Sequence, residues 1–112
     1  MTVRLTESHV VAVVRRLTVA RLHTFVEAGC IAPAEVAGER VFGEAELARL
    51  ELLCELADDF GLDTEALALV MSLIDQLHGI RHEMRSLAHA IGEQPDEVRA
   101  RIRAAYLRGR AG

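Results

Sequence analysis

The chain has 112 residues, 51% of them apolar but only 4% aromatic, so a single domain with an aliphatic core of Leu, Val, Ile and Ala is expected. A formal net charge of −4 argues against a general affinity for nucleic acid, which needs clustered positive charge. Helix formers dominate and proline occurs only twice, which favours an all-α, mostly helical fold with one small β element.

Thr6 can cap a first helix over about Glu7–Leu17, with Val10, Val11, Val13, Val14 and Leu17 on its apolar side. Thr18 can cap a second, where Leu22, Phe25 and Val26 recur at helical spacing, and Gly29 stops it as a left-handed residue can. Val36 and Val41-Phe42 then anchor two short strands around an Ala37-Gly38-Glu39 turn. A third helix spans about Glu44 to Phe60, with Leu47, Leu50, Leu53, Cys54 and Ala57 on its core side. Gly61 ends it and Asp63 caps a long fourth helix reaching about Gly92, weakened near Gly79 by roughly 1 kcal/mol relative to Ala. Along this helix Leu73, Leu77, Ile80, Met84, Leu87 and Ile91 alternate spacings of four and three, a heptad seam suited to pairing two copies into a homodimer. Pro95 opens a last helix, about Asp96–Leu107, with Val98, Ile102, Ala105 and Tyr106 as its apolar side. The expected organisation is a winged module over residues 1–62, a dimerising helix over 63–92, and a terminal helix with an arginine-rich tail over 93–112.

Helix, glycine stop, two-stranded wing, helix is the outline of a winged helix-turn-helix. The order Leu22 to Gly29, Ile31-Ala32-Pro33, Arg40-Val41-Phe42 and the acidic helix resembles the MerR-like version of that fold. More closely, the run from Leu52 to Asp63 and the run from Val70 to Leu77 resemble the chaperone-modulator CbpM family, a similarity covering about residues 5–91. The resemblance implies an inhibitor that binds the J-domain of a DnaJ-like, CbpA-type co-chaperone and blocks its access to Hsp70. DNA-binding MerR regulators carry an Arg-Thr-Leu-Arg-Tyr-Tyr type of string in the second helix. Here the stretch reads Ala20-Arg21-Leu22-His23-Thr24-Phe25, so a histidine stands where the second arginine is expected. The competing reading is a MerR-type transcription regulator that contacts DNA through Arg15, Arg16, Arg21 and Arg40.

Charge is distributed unevenly. Residues 44–65 hold eight acids against Arg49 alone, whereas residues 99–112 hold five arginines and no acid. On the third helix, Glu44, Glu51, Glu55 and Asp58 fall in one stripe, with Asp59 at its edge beside Leu52 and Leu56. Like charges three or four residues apart repel by a few tenths of a kcal/mol each, a cost that a basic partner helix would relieve. The candidate partner surface is therefore Glu51, Leu52, Glu55, Leu56, Asp58 and Asp59, against the plainer reading of a solvated face.

Other groups read more plainly. His78 and His82 stand four apart, with His89 a heptad further on, a spacing that can bind a metal on one helix face, but no cysteine or other strong ligand is placed with them and they read as solvated flanks of the seam. Cys30 and Cys54 have no CxxC spacing and read as small, reduced core residues. The arginine tail reads as a frayed terminus, or as a surface for nucleic acid or for the acidic helix. Neither a phosphate loop, nor a nucleophile with a base, nor a carboxylate pair suggests catalysis, so no enzyme, metal or cofactor is expected. No apolar run has signal-peptide or membrane-spanning length, and a cytoplasmic protein is the expectation.

Overall fold

The computed structural model describes residues 4–111. Its elements are α1 (Glu7–Val13), α2 (Val19–Glu27), β1 (Ala34–Val36), β2 (Glu39–Val41), α3 (Glu44–Asp59), α4 (Thr64–Gly92) and α5 (Asp96–Ala111). This is the mostly helical winged helix-turn-helix expected, with a small antiparallel hairpin as the wing. Contacts within the chain gather into two units that meet between Ile74 and Asp75, inside α4.

The first unit holds the whole core. Val10, Val14, Leu17, Leu22, Phe25, Cys30, Ile31, Phe42, Leu50, Leu53, Cys54, Leu67 and Met71 are buried together, and among the described residues no charged or polar side chain is buried with them. Each such aliphatic side chain contributes about 1.5–3 kcal/mol through burial. Helix α1 stops at Val13, four residues before the expected end. Arg16 takes a left-handed backbone (φ 71°), which a helix cannot continue through, and the valine run has weak helix propensity. Val14 and Leu17 reach the core from the turn, whereas Val13 is 62% exposed. Thr6 stands at the cap position, but its hydroxyl bonds Ser8 Oγ and His9 Nδ1 rather than a backbone N–H.

Thr18 does cap α2, accepting from the Arg21 amide at 3.1 Å. At the other end Cys30 N–H donates to Phe25 O (2.9 Å) and Gly29 N–H to Val26 O (3.1 Å), with Gly29 at φ 78°. That paired arrangement is a Schellman motif, and it turns Cys30 inward. In the wing Val36 pairs with Glu39, so the loop is Ala37-Gly38 alone and Glu39 belongs to the strand. Both loop residues have positive φ (53° and 81°), the type I′ geometry whose twist matches a hairpin. Phe42 lies beyond β2 and pairs with Leu5 through two 2.8 Å backbone bonds, adding a third segment to the wing.

The Gly43 amide donates to the Glu46 carboxylate (3.1 Å) at the start of α3, which ends at Asp59 with Phe60 as its cap. Asp63 Oδ1 accepts from the Ala66 amide at 2.9 Å and starts α4, as its side chain suggested. In the second unit, α5 continues through Ala111, so the arginine tail is helical. Its first turn is tied by an Asp96–Arg99 ion pair. Among the described residues no helix is long and apolar enough to cross a membrane.

Ala37 is the strained residue of the wing, because a side chain in the left-handed region costs roughly 1–2 kcal/mol. Ala37→Asn, which tolerates that region in a type I′ turn, should stabilise the fold by about 0.5–1 kcal/mol in urea denaturation.

Candidate functional site

The face built by α2, the preceding turn and α3 decides what this fold can bind. Arg21, in the first turn of α2, donates twice to Asp58, at 2.6 Å to Oδ1 and 3.2 Å to Oδ2. Its Nη1 also donates to the carbonyl of Arg16 at 3.1 Å, and its guanidinium lies 6.0 Å from the centre of the Phe25 ring. Arg16 reaches Asp59 at 3.1 Å and Asp58 at 3.5 Å. Arg16 from the α1–α2 turn and Arg21 from the first turn of α2 thus close on two carboxylates in the last turn of α3. The Arg21 hydrogen bond holds the Asp58 carboxyl below its ordinary value of 3.8. The same bond raises Arg21 above its ordinary value.

A second cluster ties α1, α2 and the wing together. His23 Nε2 lies 2.8 Å from Glu7 Oε1, and Arg40 Nη1 lies 3.5 Å from Glu7 Oε2. Of the four arginines in the DNA-contact reading, Arg16, Arg21 and Arg40 are therefore engaged with acids of the chain itself. Arg15 alone is exposed with no ion pair among the described residues. The exposed side of α2 presents Val19, Ala20, His23, Thr24 and Glu27 and no free cation. Residues 1–74 carry six arginines against twelve acids, a formal −6.

On α3 the predicted partner residues divide into two groups. Asp58 and Asp59 are held by the arginines, whereas Glu51 and Glu55 are exposed with no ion pair among the described residues. Leu52 and Leu56 are half-buried, their inner sides packed on the core. The sequence reading missed the extent of this strip. Ala45 and Ala48 continue it toward the start of the helix, and both are exposed. Phe60, one turn beyond Leu56 and 68% exposed, continues it past the end. The signal was available in the four-residue spacing of Leu52, Leu56 and Phe60, but Phe60 reads equally well as a core residue at a helix end. The result is a narrow apolar line bordered by Glu44, Glu51 and Glu55.

Both thiols are buried, Cys30 at 0% and Cys54 at 1% exposure, and burial pushes both pKa values up. They are protonated and unreactive at neutral pH. Cys30 Sγ faces the Thr64 carbonyl at 3.9 Å, and Arg49 Nε donates to the Cys30 carbonyl at 2.9 Å. His78, His82 and His89 are exposed on α4, with His89 3.2 Å from Glu93. Among the described residues no three His, Cys, Asp or Glu side chains converge on a metal-sized site. The seam residues Leu73, Leu77, Ile80, Met84 and Leu87 are all exposed, and Ile91 is half-buried.

These features define a winged helix-turn-helix protein. A model of the MerR HTH family of regulatory proteins matches residues 7–89, and the chain belongs to that family. Neither the curated proteins nor the solved structures gave a match to the chain.

The Asp58 carboxylate sets a pH dependence. Its folded-state pKa is depressed, so its contribution to stability is present above the unfolded-state value and is lost as pH falls through the folded-state value. Thermal unfolding should therefore lose stability below about pH 4. Asp58→Asn should lower Tm at pH 7 and narrow the difference between pH 7 and pH 3. An unchanged difference would show that other carboxylates dominate acid unfolding.

Proposed function

We propose that this chain is a MerR-fold regulator that acts on a protein instead of DNA. It binds the J-domain of a DnaJ-like, CbpA-type co-chaperone and inhibits its action on Hsp70. The observation that carries this reading is the capture of Arg16 and Arg21 by Asp58 and Asp59. It removes from the helix-turn-helix face two of the cations that phosphate contacts require. A unit with a formal −6 repels a duplex at long range and attracts a basic polypeptide.

The contact surface in this reading is the α3 strip. Leu52 and Leu56, extended by Ala45, Ala48 and Phe60, supply an apolar line for a partner helix. Glu51 and Glu55 supply free negative charge along it, and Asp58 and Asp59 border it while fastening α3 to the α1–α2 turn. J-domains carry a basic helix next to the loop that engages Hsp70, so the signs are complementary. Inhibition follows from occlusion, since a domain seated on that helix blocks the adjacent loop. The resemblance of the Leu52–Asp63 and Val70–Leu77 runs to the CbpM family supports the same client.

Titration calorimetry of the full chain with an isolated CbpA-type J-domain tests the proposal. Binding should weaken as salt rises, and the double variant Glu51→Arg, Glu55→Arg should bind at least tenfold more weakly (about 1.4 kcal/mol) without loss of helicity. Tight, sequence-selective binding of duplex DNA at physiological salt, with no J-domain binding, would overturn it in favour of the transcription-regulator reading.

A further inference from the structure

The helix-turn-helix face keeps several cations, but most of them are met by acids of the chain itself. Arg21 stands at the border of the exposed side of α2. At about 100° per residue it lies roughly 60° from Thr24, which is exposed, and roughly 40° from Phe25, which is buried. A helix laid in a DNA groove meets the phosphate backbone along such a flank. Arg16 belongs to the turn before α2, and Arg40 to the wing.

Each of the three arginines faces a carboxylate from a distant part of the sequence. Asp58 accepts from both Nη atoms of Arg21, at 2.6 and 3.2 Å. This is the forked geometry in which a guanidinium also grips a phosphate. Asp59 accepts from Arg16 at 3.1 Å. Glu7 lies 3.5 Å from Arg40 through one oxygen and 2.8 Å from His23 through the other. None of these contacts is sealed from solvent, since the side chains that make them are 27–52% exposed. The backbone beneath α2 is held by other groups, the Thr18 cap and the Gly29 stop. Rotation of side chains is therefore enough to carry an arginine from its carboxylate to a phosphate.

We propose that Asp58, Asp59 and Glu7 stand in for phosphates and gate a latent affinity of this face for the backbone of duplex DNA. An acid so placed acts twice: it occupies a cation, and it repels the phosphate that would replace it. The face binds a duplex weakly while these acids are charged, and neutralising them restores one phosphate contact for each arginine released. The gate uses the clamp on which the J-domain reading rests but not the J-domain itself, because Glu51 and Glu55 pair with none of these arginines.

Fluorescence anisotropy of a labelled mixed-sequence DNA duplex, titrated with the full chain at rising salt, tests the gate. The double variant Asp58→Asn, Asp59→Asn should bind at least tenfold more tightly than the unaltered chain at about 50 mM salt. Its slope of log K against log salt should steepen by about 2, one phosphate each for Arg16 and Arg21. Adding Arg16→Ala should take back about half of that steepening. The pair Glu65→Gln, Glu83→Gln makes the same change in net charge at exposed acids with no ion pair among the described residues, and should leave the slope unchanged. A gain no larger than that of this control would reduce the effect to net charge and overturn the gate. Tight duplex binding by the unaltered chain would overturn it equally. Should circular dichroism show that the Asp58, Asp59 variant loses helicity, Glu7→Gln decides the matter alone. It releases Arg40 and should steepen the slope by about 1, and an unchanged slope would refute the gate. J-domain binding by the unaltered chain, with no gain of DNA affinity in these variants, would refute the gate and leave the proposed function standing.

Discussion

Two carboxylates in the last turn of a helix are badly placed, because the exposed carbonyls at that end already carry partial negative charge. Asp58 and Asp59 occupy such positions in α3, and the last turn contains no base of its own. Arg21 is misplaced in the opposite sense, a cation in the first turn of α2 beside unsatisfied N–H groups. The fold resolves both conflicts with one contact. Arg21 and Arg16 close on the two acids, and Arg21 also binds the Arg16 carbonyl, where the chain turns through a left-handed residue. The clamp fastens the α1–α2 turn to the end of α3 and sets which charges are left unpaired on that surface.

The clamp also decides what remains available for a partner. With Arg16 and Arg21 engaged by the acids of α3 and Arg40 held by Glu7, the face that this family's fold offers to DNA is left with few unpaired cations. Further along α3, Glu51 and Glu55 have no ion pair among the described residues and stand beside half-buried leucines. An exposed pair in water contributes little, about 0–1 kcal/mol, so free acids are weak anchors until a partner excludes solvent around them. The apolar line from Ala45 to Phe60 is what would allow that exclusion.

Features set by neighbours in the chain were legible in the sequence. Thr18, Gly29, Gly61 and Asp63 announced helix ends because capping and left-handed stops are local chemistry. The heptad seam was legible as a pattern, and its exposure follows from the helix geometry. Long-range pairings were not legible. Arg21 and Asp58 are 37 residues apart, and nothing in either local string marks the other as its partner. The stripe of acids therefore read as uniformly free, although two of its members are engaged. The early end of α1 was hidden for the same reason, since valine periodicity continues to Leu17 while the backbone turns to place Arg16 over α3. The Leu5–Phe42 bridge escaped notice because two isolated residues carry no strand signal.

One helix serves two purposes in this molecule, and the change happens within a single turn. Up to Ile74, α4 presents Leu67 and Met71 to the core of the first unit. From Leu73 onward the apolar residues at heptad spacing lie on a different side, where none of the described residues buries them fully. A helix stabilised by one core would have no reason to carry six further aliphatic positions at heptad spacing, because exposed leucines favour aggregation over solubility. Gly79 in the middle of the seam, at a cost of roughly 1 kcal/mol relative to Ala, would weaken an isolated helix at the point where nothing else supports it. α4 nevertheless runs unbroken through Gly79 to Gly92, so the leucines, alanines and other strong helix formers around the glycine offset that cost while the second apolar side stays largely exposed.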